Sequence, residues 1–171
     1  ALGAVVETGA PLAFVVPAET GELAAADEAI DLDLIRADLA EVRARYALTL
    51  DENRPDAVAR RRRTGQRTAR ENLDDLFDPG SFNEYGALAI AAQKRRRSVE
   101  DLQVATPADG IVTGVGEVNG HLFGEDAARC VGLAYDFTVL AGTQGHFNHK
   151  KTDRILEFAE HWKARPFSSL P

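Results

Sequence analysis

Apolar positions along the chain fall into short periodic blocks. Leu32, Ile35, Leu39, Val42 and Tyr46 recur at steps of three and four, with charged residues between them, which predicts an amphipathic helix over 31–48. Its stripe either docks on the chain's own core or packs at a subunit interface. A second helix is expected from Pro55 to Arg63, with Pro55 in the first turn and Thr64-Gly65 as the stop. A third starts at Thr68, where Thr68-Ala69-Arg70-Glu71 fits a capping box and Leu73, Leu76 and Phe77 form its apolar face.

Period-two patterns come before and after these helices. Residues 3–16 read as two short strands about a Thr8–Pro11 turn, and 81–91 alternates well enough for a strand. Residues 108–123 read as a hairpin, with Ile111, Val112, Val115 and Val118 before the Asn119-Gly120 turn signal and Leu122 and Phe123 after it. Cys130–Leu140 is the best buried-strand segment. A helix at 148–163 follows, with Ile155, Phe158, Ala159 and Trp162 on one face. Helices, then strands, then a strand–loop–helix unit predict an α/β or α+β fold, with further βα units to come.

Composition narrows the function. A net charge of −7 argues against a general nucleic-acid binder. No apolar run reaches the roughly 18–20 residues of a membrane span, so no membrane partner is expected. The single cysteine, Cys130, excludes an internal disulfide and suits a reducing, cytoplasmic setting. Residues 17–30 carry four acids and no base, as a solvated linker would. The chain contains no methionine, not even at position 1, so a fragment or processed product is expected.

The segment "AGTQGHFNHKKTD" (141–153) raises a phosphate-loop question. It fails the G-x-x-x-x-G-K-[ST] pattern, because Lys150 stands where the second glycine would let the backbone curl around a phosphate. A more general reading survives. Gly142-Thr143-Gln144-Gly145 frees N–H groups at a helix start, and Lys150 and Lys151 add positive charge, which fits a phosphorylated ligand held rather than hydrolysed. A surface turn with solvated lysines is the plain alternative. His146 and His149 are three apart but have no third ligand at metal spacing, so no metal is expected. The basic run Arg60–Arg63 with Arg67 and Arg70, and the cluster Lys94–Arg97, are solvated faces, partners for nearby acids, or contacts to a polyphosphate such as coenzyme A. Cys130 reads as a buried, inert thiol. There is no nucleophile elbow and no plausible triad.

Two stretches go further. "RRRRTGQRTARENLDDLFDPGSFNEYG" (60–86) resembles the opening of the carboxyltransferase component of biotin-dependent acyl-CoA carboxylases. "DGIVTGVGEVNG" (109–120) and "YDFTVLAGTQGHFNHKKTDRILEFA" (135–159) resemble that family's next strands, Gly-rich turn and first long helix. Gly3, Val6, Gly9 and Leu12, at steps of three, look like the final strands of a biotinyl or lipoyl module.

The resemblance implies a module end at 1–16, a linker at 17–30 and the amino-terminal part of a carboxyltransferase domain at 31–171. It implies an incomplete crotonase-like βα superhelix whose family moves CO2 from carboxybiotin to the α-carbon of an acyl-CoA. The implied partners are biotinyl carrier and biotin carboxylase domains within an oligomer, with ATP used only in the partner carboxylase domain. Biotin would be carried outside this segment, because the Met-flanked lysine that accepts it is absent. No residue is expected to be catalytic, since the family's oxyanion-hole glycine loops lie further along. The implied coenzyme A contacts are Gly142, Thr143, Gly145, His146, Lys150 and Lys151, with Arg67 and Arg70 as outer candidates. A non-catalytic scaffold or oligomerisation module is the alternative function.

Overall fold

The sheet forms where apolar residues run longest. β2 (Ile111–Glu117) and β3 (Arg129–Tyr135) pair antiparallel with Gly114 opposite Gly132, and β1 (Asn83–Tyr85) adds antiparallel to β2. β4 (Arg165–Ser169) runs parallel to β3, giving the order β1-β2-β3-β4. That parallel step needs a crossover, and the 17-residue helix α7 (His146–Trp162) supplies it, so β3–α7–β4 is a βαβ unit. This computed structural model describes residues 33–169. The strands expected at 3–16, the linker at 17–30 and Leu32 lie outside the described residues.

The sheet is covered on both faces, which explains why β2 is buried at almost every position rather than at alternate ones. Odd-numbered residues Ile111, Val131 and Leu133 meet Ile155 and Ala159 of α7. Even-numbered Val112 and Ala134 meet Ala69, Leu73 and Phe77 at α3 (Ala69–Leu76). Burying each large side chain contributes about 2 kcal/mol. Phe77 lies so close to the strands that a β-carbon on Gly116 or Gly132 would come within 2.6 or 2.7 Å of its ring.

The helices before the sheet follow the sequence with shortened ends. α1 covers Ala37–Ala47, starting later than expected, and α2 covers Pro55–Arg62. The Thr68 capping box is present: Glu71 N donates to Thr68 Oγ1 at 3.1 Å and Thr68 N donates to Glu71 Oε2 at 2.8 Å. That backbone hydrogen bond lowers the Glu71 pKa. The α1 stripe does not dock on the core: Ile35, Leu39, Val42 and Tyr46 are all exposed.

Two expectations are corrected. The strand over 81–91 shrinks to Asn83–Tyr85, because Gly86 turns at φ 70° and the chain leaves the sheet. The hairpin over 108–123 does not form, although Asn119 has the left-handed backbone such a turn needs. The Asp78 carboxylate accepts from Asn119 N at 3.0 Å and Gly120 N at 2.6 Å. The chain then runs into the short helices α5 (Gly120–Phe123) and α6 (Glu125–Ala128) before pairing as β3. Between the first two strands lies one further helix, α4 (Val99–Ala105), capped by Ser98.

A buried ion pair ties the helical region to the sheet. Arg70 of α3 donates to both oxygens of Glu84 of β1, at 2.9 and 3.1 Å, and to Thr49 O at 2.9 Å. Tyr46 OH adds a hydrogen bond to Glu84 at 3.2 Å. Burial alone would lower the Arg70 pKa, but the hydrogen bonds and charge of Glu84 outweigh it and the value rises. Removing one partner leaves the other charged and unpaired in a poor solvent. Arg70→Ala is therefore expected to destabilise the chain by about 3 kcal/mol in urea unfolding, and Arg70→Met combined with Glu84→Leu to cost less than that single change.

Candidate functional site

The loop joining β3 to α7 is built from the strand end outward. Arg54 Nη1 donates to Asp136 Oδ2 at 2.8 Å and Nη2 donates to Thr138 Oγ1 at 2.7 Å, with only 10% and 12% of the Arg54 and Asp136 side chains exposed. Thr138 N donates to Asp136 Oδ1 at 2.9 Å, so this carboxylate holds the first turn from both sides. Val139 is buried beneath. Leu140, Ala141 and Gly142 then adopt left-handed backbone at φ 46°, 54° and 78°. For the two non-glycine residues this costs about 1–2 kcal/mol each. Thr143 closes the turn, its Oγ1 donating to Leu140 O at 2.7 Å. Gly142 has no side chain because the Phe137 ring fills the space, 2.7 Å from where a β-carbon would stand. The Arg61 guanidinium sits 5.0 Å from the Phe137 ring centroid.

α7 begins at His146, two residues earlier than expected, with Gly145 as its N-cap. The anion at this helix start is the chain's own. Asn148 N donates to Asp109 Oδ2 at 2.9 Å, and both Asp109 carboxylate oxygens lie 2.5 Å from where a Gly145 β-carbon would be. Asp109 comes from a second left-handed turn, Ala108-Asp109-Gly110, at φ 53°, 49° and 76°. Lys151 braces that turn from α7. It is 5% exposed and donates to Ala108 O at 3.1 Å and to Ile111 O.

These contacts sort the expected site residues. Gly142 and Gly145 shape the loop, and Thr143, His146 and Lys150 are exposed along it. Lys151 points inward, so its ammonium is engaged with backbone carbonyls rather than presented at the surface. Arg67 donates to Asp75 at 2.9 Å and to Glu71 O at 2.7 Å, and Arg70 is held by Glu84. Lys151 and Arg70 serve as framework, while Arg67 is an exposed residue paired with the exposed Asp75; each cation has protein oxygens within reach. Cys130 is half-buried, and burial raises its thiol pKa while the charge of Arg165 lowers it.

Sequence reasoning misses Arg54 and Asp109, and names Arg61 only within the run Arg60–Arg63 as one possible polyphosphate contact. Asp109 sits in an Asp-Gly pair at the start of the segment expected as a hairpin, and no sequence signal separates Arg61 from its three arginine neighbours. Arg54 shows no local pattern, since its partners lie more than eighty positions away.

Comparison with known proteins gives a consistent picture. A carboxyl transferase domain family matches residues 60–167, more than half of the chain. The biotin-dependent long chain acyl-coenzyme A carboxylase beta4 subunit of Mycobacterium tuberculosis is 37% identical over 121 residues, covering 70% of this chain and 20% of that protein. A single-chain, multi-domain long-chain acyl-CoA carboxylase of solved structure is 62% identical with a TM-score of 0.78, covering 81% of this chain and 14% of that one. The transcarboxylase 12S hexamer with methylmalonyl-coenzyme A bound is 26% identical with a TM-score of 0.60, over 79% of this chain and 24% of that one. This chain spans about a fifth of the length of the curated relatives it matches.

The Lys151 ammonium gives this region a pH signature. Burial lowers its pKa from 10.5 to about 8, offset in part by the charge of Glu84, reinforced by Arg70 and offset again by Asp109. Below about pH 8 both folded and unfolded chains are protonated here, and the cost of burying the charge is fully present. Between about 8 and 10.5 the unfolded chain holds the proton more tightly, so stability rises with pH as that cost is removed. Urea unfolding from pH 7.5 to 10 is expected to show this rise, and Lys151→Met to flatten it.

Proposed function

This chain belongs to the carboxyl transferase family and carries part of its crotonase-type βα fold, and from that premise we propose that it is the coenzyme A-holding, amino-terminal part of an acyl-CoA carboxyltransferase. The observation that supports the proposal is that the family match, residues 60–167, spans both left-handed turns, the exposed loop and α7. The family names among the relatives point to an acyl-CoA as substrate and carboxybiotin as CO2 donor. Partner biotinyl and ATP-using biotin carboxylase domains would supply that donor, within an oligomer.

Biotin itself does not fit the residues present. A carrier lysine must stand on an accessible turn. Lys151 is buried, Lys150 is inside α7, and Lys163, although on the exposed turn that ends α7, stands between Trp162 and Ala164 without flanking methionine. Lys94 is exposed but lies in the basic run Lys94–Arg97, without flanking methionine. The chain's own contribution is therefore to bind and orient. Carboxyl transfer develops negative oxygens that need preorganised N–H donors. In the family those donors come from glycine loops further along.

At the loop, the ligand's nucleotide end would meet side chains rather than the helix start, because Asp109 already occupies the amide of Asn148. Lys150 and His146 would lie against phosphate and Thr143 Oγ1 would accept a hydrogen bond, while Gly142 and Gly145 leave room for the Phe137 ring and the Asp109 carboxylate that hold the loop backbone in place. Lys151 and Arg70 would hold this surface in shape. The exposed α1 stripe is the specific observation behind the scaffold alternative.

Titrating the chain with coenzyme A tests the reading. Saturable binding is expected, with Lys150→Ala weakening it about five-fold and Lys150→Arg retaining most of it, as a partly solvated ion pair would. A folded chain that binds no coenzyme A and self-associates instead would replace this reading with the scaffold one. The chain alone is expected not to transfer carboxyl groups between malonyl-CoA and a biotin analogue, and turnover near that of an intact carboxylase would contradict the division of labour described here.

A further inference from the structure

Four consecutive arginines, Arg60–Arg63, occupy the end of α2 and its C-cap, and they are not equivalent. Arg60, Arg62 and Arg63 are exposed, and Arg62 is paired with Glu71. Arg61 is half-buried and points to the candidate loop. Its guanidinium carbon lies over the Phe137 ring, 5.0 Å from the centroid, and Phe137 in turn packs on Gly142. Two further contacts set its rotation: Nε donates to Arg67 O at 3.0 Å and Nη1 donates to Gln66 Oε1. Neither partner carries a formal charge, so the cation is held without being neutralised. Nη2 is left with two N–H groups and no hydrogen-bond partner among the described residues. Arg70 and Arg67, the other loop-side candidates in this region, already have carboxylates.

A guanidinium oriented by neutral acceptors and an aromatic platform, with one edge open, is preorganised for a doubly charged oxyanion. Its free Nη2 presents two N–H groups to phosphate oxygens, and little side-chain freedom remains to be lost on binding. The cation–π contact with Phe137 also stabilises the cation at a half-buried position. We infer that Arg61 is the specificity-determining residue for a terminal phosphate monoester on the ligand, which for coenzyme A is the 3′-phosphate of the ribose. The inference rests on the coenzyme A reading of the loop and adds to it the group that distinguishes coenzyme A from dephospho-coenzyme A.

The test is a paired titration of the full chain with coenzyme A and dephospho-coenzyme A at fixed ionic strength. Wild type is expected to prefer coenzyme A about ten-fold, the contribution of a charge-assisted hydrogen-bonded contact. Arg61→Gln is expected to bring that ratio near one while leaving the affinity for dephospho-coenzyme A unchanged, and Arg61→Lys to give an intermediate ratio. Should Arg61→Gln fail to fold by circular dichroism, Arg61→Lys alone decides, since a full wild-type ratio there removes any role for the planar fork. A ten-fold preference that survives Arg61→Gln overturns the inference. Equal wild-type affinity for the two ligands also overturns it while leaving the coenzyme A reading intact. Binding of neither ligand ends both.

Discussion

The contact on which the described fold turns is the clamp between the start of α7 and the left-handed turn before β2. Asp109 accepts from the backbone of Asn148, Asn148 Nδ2 donates to Asp109 O at 3.3 Å, and Lys151 donates to the carbonyls on either side of the turn. Three consecutive left-handed residues would not persist by themselves. Here they persist because Ala108 O meets the buried Lys151 ammonium and the Asp109 carboxylate is held by the Asn148 amide. The same clamp fixes where α7 starts, and with it the loop from β3, the crossover to β4 and the Ile155–Ala159 face against the sheet. Position, burial and charge are thus settled at one place before any ligand arrives.

That arrangement changes what a lysine pair at a helix start means. Lys150 and Lys151 are adjacent in sequence, but a helix rotates successive residues by about 100°, so one faces solvent and the other the sheet. Periodicity could have separated them: Lys151 is four residues before Ile155 and eight before Ala159, which places it on the buried stripe. Charge obscured that reading, because a lysine on an apolar face is assumed to snorkel outward. It turns inward here because the left-handed turn presents two backbone oxygens within reach.

How much was legible depended on the range of the interaction. Capping at Thr68 and the proline start of α2 are local and match the structure closely. The strand expected over Cys130–Leu140 ends at Tyr135, where Asp136 and Thr138 begin a turn, and the α7 stripe holds at Ile155 and Ala159 while Trp162 is exposed. The failed hairpin at Asn119-Gly120 had a correct local turn residue, but the Asp78 carboxylate, 41 positions away, captured the turn amides. The exposed stripe of α1 shows the converse. Its pattern was read correctly as amphipathic, yet pattern alone does not say what covers an apolar face. Of the candidate binding residues, the glycines and Lys150 could be named from the loop itself. Arg54, Arg61 and Asp109 could not, because what distinguishes them is a partner brought close only by the fold.

The overall charge makes the same point about ligand binding. A chain at −7 has no net attraction for a polyphosphate, and beyond a Debye length, about 8 Å in physiological salt, its field is largely screened, so long-range steering cannot account for capture of such a ligand. Binding must come from contacts made at close range, where a cation contributes in proportion to how well it is oriented and how little competing carboxylate it faces. Most basic side chains near the loop fail one of these conditions. Arg54, Arg67 and Arg70 are matched to acids, and Lys151 is enclosed. An acidic protein can nevertheless hold a polyanion if a few cations are withheld from its own acids. Neutral acceptors and an aromatic ring do this for Arg61, whereas Lys150 remains available because the α7 face it occupies is turned to solvent.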